Sequence, residues 1–225
     1  MTTAEDVLLA AERKLRETEH EIRDHRYLSA LERGEISVEA LRAFPGHQYH
    51  LWKSDVRSAA NFVGRFGDRP YASFFMTDLT AEMDARGGVV AIGRKLGMST
   101  ADLENFEPTA KGFAYGAYFA WLSLFGSAGE IACGLALNLA AWGANCQRVG
   151  TALRASYGFG EADTAFLDGF AGLPSFRDPA LDIVEDDLAR GTPPEDIVRA
   201  VRLIQAYELM FWDAMADAAE LQGQS

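Results

Sequence analysis

The hydrophobic positions of this chain recur at helical spacing from one end to the other. Thr2 and Thr3 cap a first predicted helix over Thr3–Arg23, with Leu8, Leu9 and Leu15 on one side. A second helix, or a bent continuation, runs over Arg26–Arg33 and stops at Gly34. Ser37 starts the next, whose pattern is Val38, Leu41, Phe44, Tyr49, Trp52, Val56, Ala60 and Val63. Pro45 lies inside that pattern and predicts a kink, with carbonyls exposed near Leu41 and Ala43. Gly67-Asp68-Arg69-Pro70 reads as a turn. A helix over Tyr71–Leu96 follows, disturbed at Gly87-Gly88, then a short turn from Ser99 that ends before Pro108. Further helices are predicted over Thr109–Phe125, Ala128–Tyr157, Glu161–Phe170 and Ala180–Ala189, with Pro174–Pro179 as a linker. No alternating strand of useful length and no internal repeat interrupts the series. Connections this short suit neighbouring antiparallel helices, so the expectation is one all-α domain over residues 1–225.

The last predicted helix, Thr192–Leu221, organises the rest and runs out into polar Gln222, Gly223 and Gln224. Its apolar stripe is Ile197, Val201, Ile204, Leu209, Phe211, Trp212 and Met215. Glu208 lies four residues after Ile204 and four before Trp212, so it shares their face. A buried carboxylate is costly unless it is paired or protonated. Either Glu208 has a structural partner, or it works on a ligand.

Composition narrows the class. At 225 residues and 48% hydrophobic content the chain builds a full core unaided. Its net charge of −12 argues against nucleic acid as a partner, because that binding needs basic patches to neutralise phosphates. Cys133 and Cys146 suggest no disulfide framework and fit a reducing compartment. Met1 leads into an acidic amphipathic segment, unlike a signal peptide. The longest charge-free apolar run, Ile131–Ala144, spans about 14 residues, too few for a bilayer. A cytoplasmic protein with no membrane partner is expected.

Several polar groups fall on faces that should be interior. His47 and His50 are i, i+3 neighbours after Pro45 and are either metal ligands or satisfied structural groups. A carboxylate-bridged dimetal bundle takes Glu-x-x-His motifs from two helices. Here the residue three before His47 is Phe44, and no histidine follows residue 50, so neither a metal nor another cofactor is expected. Asn138 is the one strongly polar residue between Ile131 and Asn145, and it either bonds a neighbouring carbonyl or faces a pocket. Tyr115, Tyr118, Phe119, Trp121, Leu122 and Phe125 make one helix aromatic around much of its circumference, a stripe that reads as core or as a pocket wall. The cysteines lack a neighbouring His or Lys to activate them and read as inert.

Four stretches carry a family resemblance. They are His25-Arg26-Tyr27-Leu28 through Gly34-Glu35-Ile36; Pro108-Thr109 with Tyr115-x-x-Tyr118, Gly126-Ser127 and Glu130; Phe166 to Val184; and Tyr207-Glu208-x-x-Phe211-Trp212-Asp213-x-Met215. Together they resemble the TenA/PQQC group, the thiaminase-II-like branch of the heme-oxygenase-like fold. The resemblance implies hydrolysis at a pyrimidine, by a cysteine nucleophile assisted by a glutamate, with an aspartate and tyrosines holding the heterocycle. Carried over, the glutamate is Glu208, but the nucleophile position holds Asn138 and the tyrosine one turn later is Trp142. The aspartate position falls near Gln48 and the tyrosine after it near His50 or Leu51. Asparagine forms no covalent intermediate of the kind a thiolate forms.

The resulting expectation is an all-α, heme-oxygenase-like multi-helix bundle with a central pocket. Its walls are Tyr115, Tyr118, Trp142, Phe211 and Trp212, its polar groups Gln48, His50 and Asn138, and Glu208 is the catalytic acid/base. The ligand is a small nitrogen heterocycle or aromatic cofactor precursor. The alternatives are a cofactor-free oxidase using His47, Gln48 and His50, a ligand-binding module that consumes nothing, and a helical scaffold without a pocket. A homodimer or tetramer is expected from the apolar area on long helices.

Overall fold

The computed structural model describes residues 2–173 and 175–221; Pro174 and the predicted polar end at Gln222, Gly223 and Gln224 lie outside them. Among the described residues every regular element is a helix. In chain order these are α1 (Ala4–Arg23), α2 (Arg26–Glu32), α3 (Val38–Leu41), α4 (Ala43–Phe66), α5 (Ala72–Lys95), α6 (Thr100–Glu104), α7 (Ala110–Phe125), α8 (Ala128–Ser156), α9 (Glu161–Ala171), α10 (Arg177–Ala189) and α11 (Pro194–Ala218). The boundaries follow local chemistry. Thr3 and Asp6 form a capping box on α1, Thr109 caps α7, and Ser127 with Glu130 forms a capping box on α8. Glu130 is therefore occupied at a helix start.

α11 packs against α1, α7 and α8 and feeds all three apolar clusters of the core. Phe211, Trp212 and Met215 join the largest cluster, with Tyr27 and Phe44. Ala200 and Ile204 join the second with Phe62 and Phe75, and Ile197 and Val201 join the third with Leu8 and Leu15. Its neighbour α2 is held through Asp213, which pairs with Arg26 at 3.1 Å and lies 3.4 Å from the His25 imidazole, whose burial disfavours its charged form. The early His-Arg segment and the late Trp-Asp segment are thus two halves of one structural latch.

Three expectations need correction, and one holds. Pro45 interrupts its helical pattern where expected: it offers no N–H to the Leu41 carbonyl and its ring crowds that turn, so the helix breaks at Arg42 and Pro45 sits in the first turn of α4. The Ala43 carbonyl accepts from Nδ1 of His47 at 2.8 Å. Gly87-Gly88 does not disturb α5, which runs straight through. A Cβ on Gly88 would stand 2.4 Å from that of Phe166, so this glycine lets α5 and α9 approach closely. Pro179 belongs to the first turn of α10 rather than to a linker. Leu9 is exposed, because the buried stripe of α1 runs through Ala4, Val7, Leu8, Ala11 and Leu15.

Candidate functional site

A cavity with about 60 Å³ of space for water lies among α4, α5, α7, α8, α9 and α11. That is room for about four or five water molecules. Helix α4 contributes Gln48, Leu51, Trp52 and Asp55, and α5 contributes Glu82 and Ala85. Tyr115 comes from α7; Asn138, Leu139 and Trp142 from α8; Phe166 and Phe170 from α9; Glu208 and Phe211 from α11. The aromatic walls interlock, with Trp142 packed edge-on against Phe211 and Phe170 at ring-centre distances of 5.8 and 6.1 Å.

Glu208 is the most constrained polar group there, only 3% exposed. Its Oε1 accepts from the indole Nε1 of Trp212 at 3.1 Å, and its Oε2 accepts from Nδ2 of Asn138 at 2.6 Å. Asn138 in turn accepts from the Tyr115 hydroxyl at 3.1 Å and reaches Oε1 of Gln205 at 3.4 Å. Burial pushes the Glu208 carboxyl up to about 7, against the opposing pull of the Trp212 and Asn138 donors. The same burial, with four carboxylates in electrostatic reach, raises the Tyr115 hydroxyl well above its ordinary value. The arrangement can accept and return a proton near neutral pH and hold a flat ring beside it.

Gln48, Tyr115, Asn138, Trp142, Glu208 and Phe211 therefore meet at one cavity. Three expected pocket residues do not line it. Trp212 stands behind Glu208 as its donor. Tyr118 faces away, stacked on Trp121 and packed against Tyr207, because α7 turns only one stripe inward. His50 is half-buried beside Tyr49, outside the cavity. His47 is also elsewhere: its ring ties α4 to α7, with Nδ1 donating to Ala43 and Nε2 accepting from the Thr109 amide at 3.2 Å. Gly112 makes room for that ring, since a Cβ there would come within 1.9 Å of it. Neither cysteine lines the cavity; both are buried, and burial drives the Cys133 thiol up to about 12.

Asp55 and Trp52 line the cavity and Asp78 lies one turn before its Glu82; the sequence pattern did not bring these three forward as site residues. The signal was available. Asp55 follows Leu51 by four and precedes Ala59 by four, and Asp78 follows Phe74 by four, so each puts a carboxylate on an apolar helix face. Glu82 follows Asp78 by one turn. Among the described residues no three His, Cys, Asp or Glu side chains are placed to hold a metal ion.

The sequence profile of the TENA/THI-4/PQQC family matches residues 12–218. The chain belongs to the TENA/THI-4/PQQC family. Membership supports a general role in cofactor metabolism, thiamin-related chemistry included. No curated protein matches the chain. Among solved structures, a TenA homologue from P. horikoshii OT3 superposes with TM-score 0.75 at 13% identity, covering 94% of this chain and 99% of that one. A TenA homolog from Pseudomonas syringae pv. tomato str. DC3000 gives TM-score 0.78 at 15% identity, covering 93% and 92%. A domain of unknown function with a heme oxygenase-like fold, from Shewanella denitrificans OS217, gives 0.72 at 16%, covering 95% and 92%. At these identities the likeness establishes the fold: this TENA/THI-4/PQQC member has the heme-oxygenase-like architecture. No helix among its described residues is long and apolar enough to cross a membrane.

Proposed function

We propose that this protein binds a small nitrogen heterocycle in the α4–α11 cavity and acts on it with Glu208 as acid/base, without a cysteine nucleophile. The observation that carries the reading is the Trp212–Glu208–Asn138–Tyr115 hydrogen-bonded row set against an aromatic cavity. A carboxyl near 7 is ionised often enough to take a proton and protonated often enough to give one back. Hydrolytic release of an amine uses both properties. Glu208 takes a proton from water as its oxygen attacks the carbon, and returns that proton to the leaving nitrogen as the C–N bond breaks. Amino-substituted pyrimidines are the substrate class to test first. Turnover in the native protein, abolished in Glu208→Gln with helix content and a cooperative melting transition retained, supports the reading; unchanged turnover in that variant refutes it.

One observation favours a second reading, a module that holds its ligand without consuming it. Asn138 occupies the position where the family resemblance expects a nucleophile, and its amide is already committed to Glu208. Melting-temperature shifts with pyrimidines, quinones and tetrapyrroles, without product, favour the module. The cofactor-free oxidase reading has lost its histidines, since His47 and His50 lie outside the cavity. The same proposal takes the protein as cytoplasmic and self-associating. Two free buried thiols support the first, and Trp121, Leu124 and Phe125, respectively 48%, 59% and 67% exposed on α7, support the second.

A further inference from the structure

Across the cavity from the Glu208 row, the packed pair α4–α5 holds a second acidic group that the proposed proton transfer does not use. Asp55 on α4 and Glu82 on α5 both line the cavity, and Asp78 lies one turn before Glu82. Asp55 and Asp78 are 8% and 7% exposed, yet Oδ1 of Asp55 and Oδ2 of Asp78 have no hydrogen-bond partner. Buried polar atoms in native proteins are normally satisfied, so the bare Asp55 oxygen at the cavity wall and the bare Asp78 oxygen one turn before Glu82 need a cause. No cation of the protein supplies it. Among the described residues none of the three takes part in an ion pair, and Arg86 lies over the Trp52 ring at 5.7 Å instead.

We propose that Asp55 and Glu82, with Asp78 behind them, form an amine subsite that takes a protonated basic group of the ligand, distinct from the group processed at Glu208. The three carboxylates do not converge as the ligands of a metal ion would. An alkylammonium, by contrast, offers three N–H donors and a charge to carboxylates that approach from two helices. Trp52 adds an indole face to the same wall and is fixed there by its Nε1, which donates to the Glu82 carbonyl at 2.9 Å. An aromatic face beside carboxylates suits a cation further. Burial raises all three carboxyls, Asp78 to about 7, and repulsion from neighbouring carboxylates adds to the rise at Asp55 and Glu82. An arriving cation therefore expels protons from them, and the ligand this cavity selects is a flat ring with a basic arm.

The subsite builds on the heterocycle reading, and two probe pairs separate them. Benzylamine is compared with benzyl alcohol, and 4-(aminomethyl)pyrimidine with 4-(hydroxymethyl)pyrimidine, by calorimetry at pH 7 in two buffers of different ionisation enthalpy. The expected result is at least tenfold tighter binding of each amine than of its alcohol, with proton release. Asp55→Asn and Glu82→Gln should each cut that preference severalfold. Glu82 is half-buried, so its variant keeps the test open if Asp55→Asn folds poorly. A carboxylate-dependent preference in the benzyl pair, with no pyrimidine binding, keeps the subsite and overturns the heterocycle reading. Pyrimidine binding with no amine preference overturns the subsite alone. No binding of any probe to the native protein, or a preference that survives both variants, overturns the subsite as well.

Discussion

The Asn138 amide donates to Oε2 of Glu208 across 2.6 Å, the shortest link in a row that begins at the Tyr115 hydroxyl and ends at the Trp212 indole. With the Trp212 indole it opposes the rise in proton affinity that burial imposes on this carboxylate. Burial alone would hold Glu208 protonated at neutral pH, and the two N–H donors draw its titration back to about 7.

Asn138→Leu keeps the volume and removes one donor. A hydrogen bond to a charged group is worth roughly 1.5–3 kcal/mol, so the Glu208 titration should move up by about 1–2 pH units. The carboxyl ¹³C shift of Glu208 followed against pH measures it. A midpoint that stays near 7 would mean that Asn138 does not hold the ionised form.

Stability should fall as pH rises. The folded-state value of Glu208, about 7, lies above its ordinary 4.5, so the folded protein favours the protonated form. Its contribution is complete below about pH 4.5 and is lost as pH climbs through 7. The gap corresponds to about 3 kcal/mol as an upper bound, at about 1.4 kcal/mol per unit. Glu208→Gln should therefore melt higher than the native protein at pH 8 by the equivalent of about 1–3 kcal/mol, and close to it at pH 4.5. The network tolerates the amide: Asn138 can turn over, accept from it, and donate to the Tyr115 oxygen. Asp55, Asp78 and Glu82 titrate with the same sign, so a residual slope should survive in the variant.

The helices and the buried acid of the last one were legible because both follow from spacing alone: Glu208 sits between Ile204 and Trp212 on an apolar face. The same reasoning reached Asn138 and stopped at two alternatives, since periodicity shows burial but not the partner across the bundle. Tyr118 and Tyr115 look alike in sequence; only the tilt of α7 against α4 and α11 turns one inward and the other out toward Trp121. Pro45 was legible for a local reason. A proline denies a hydrogen bond to the carbonyl four residues before it, and the break at Arg42 falls beside that carbonyl, Leu41. Asp55, with Leu51 and Ala59 four residues to either side, has the same spacing as Glu208.

Gly88 should matter far more than its place in mid-helix suggests. An added Cβ would lie 2.4 Å from that of Phe166 and about 3.0 Å from its Cα, so neither a rotamer change nor a small side-chain shift relieves it. Gly88→Ala should destabilise by about 1–3 kcal/mol, where an open helical glycine would gain stability from alanine. Gly87, with nothing near its virtual Cβ, is the internal control: Gly87→Ala should hold or raise the melting temperature. Because Phe166 lines the cavity, the Gly88 variant should also weaken ligand binding.

The outer face of α7 supplies the last test. Trp121 packs on Phe125 at a ring-centre distance of 5.5 Å, and both stand in solvent in the single chain. Apolar surface of this kind on a folded protein is normally covered by a partner, and for a self-associating chain the partner is a second copy. Trp121→Lys with Phe125→Lys would place like charges opposite one another at a two-fold contact. Sedimentation should then shift the doubly substituted protein to the monomer mass, with helix content unchanged. The charges go on the solvent side, away from Tyr115, so ligand binding should persist in the monomer. An unchanged mass would place the contact elsewhere and leave the aromatic face of α7 without a role in assembly.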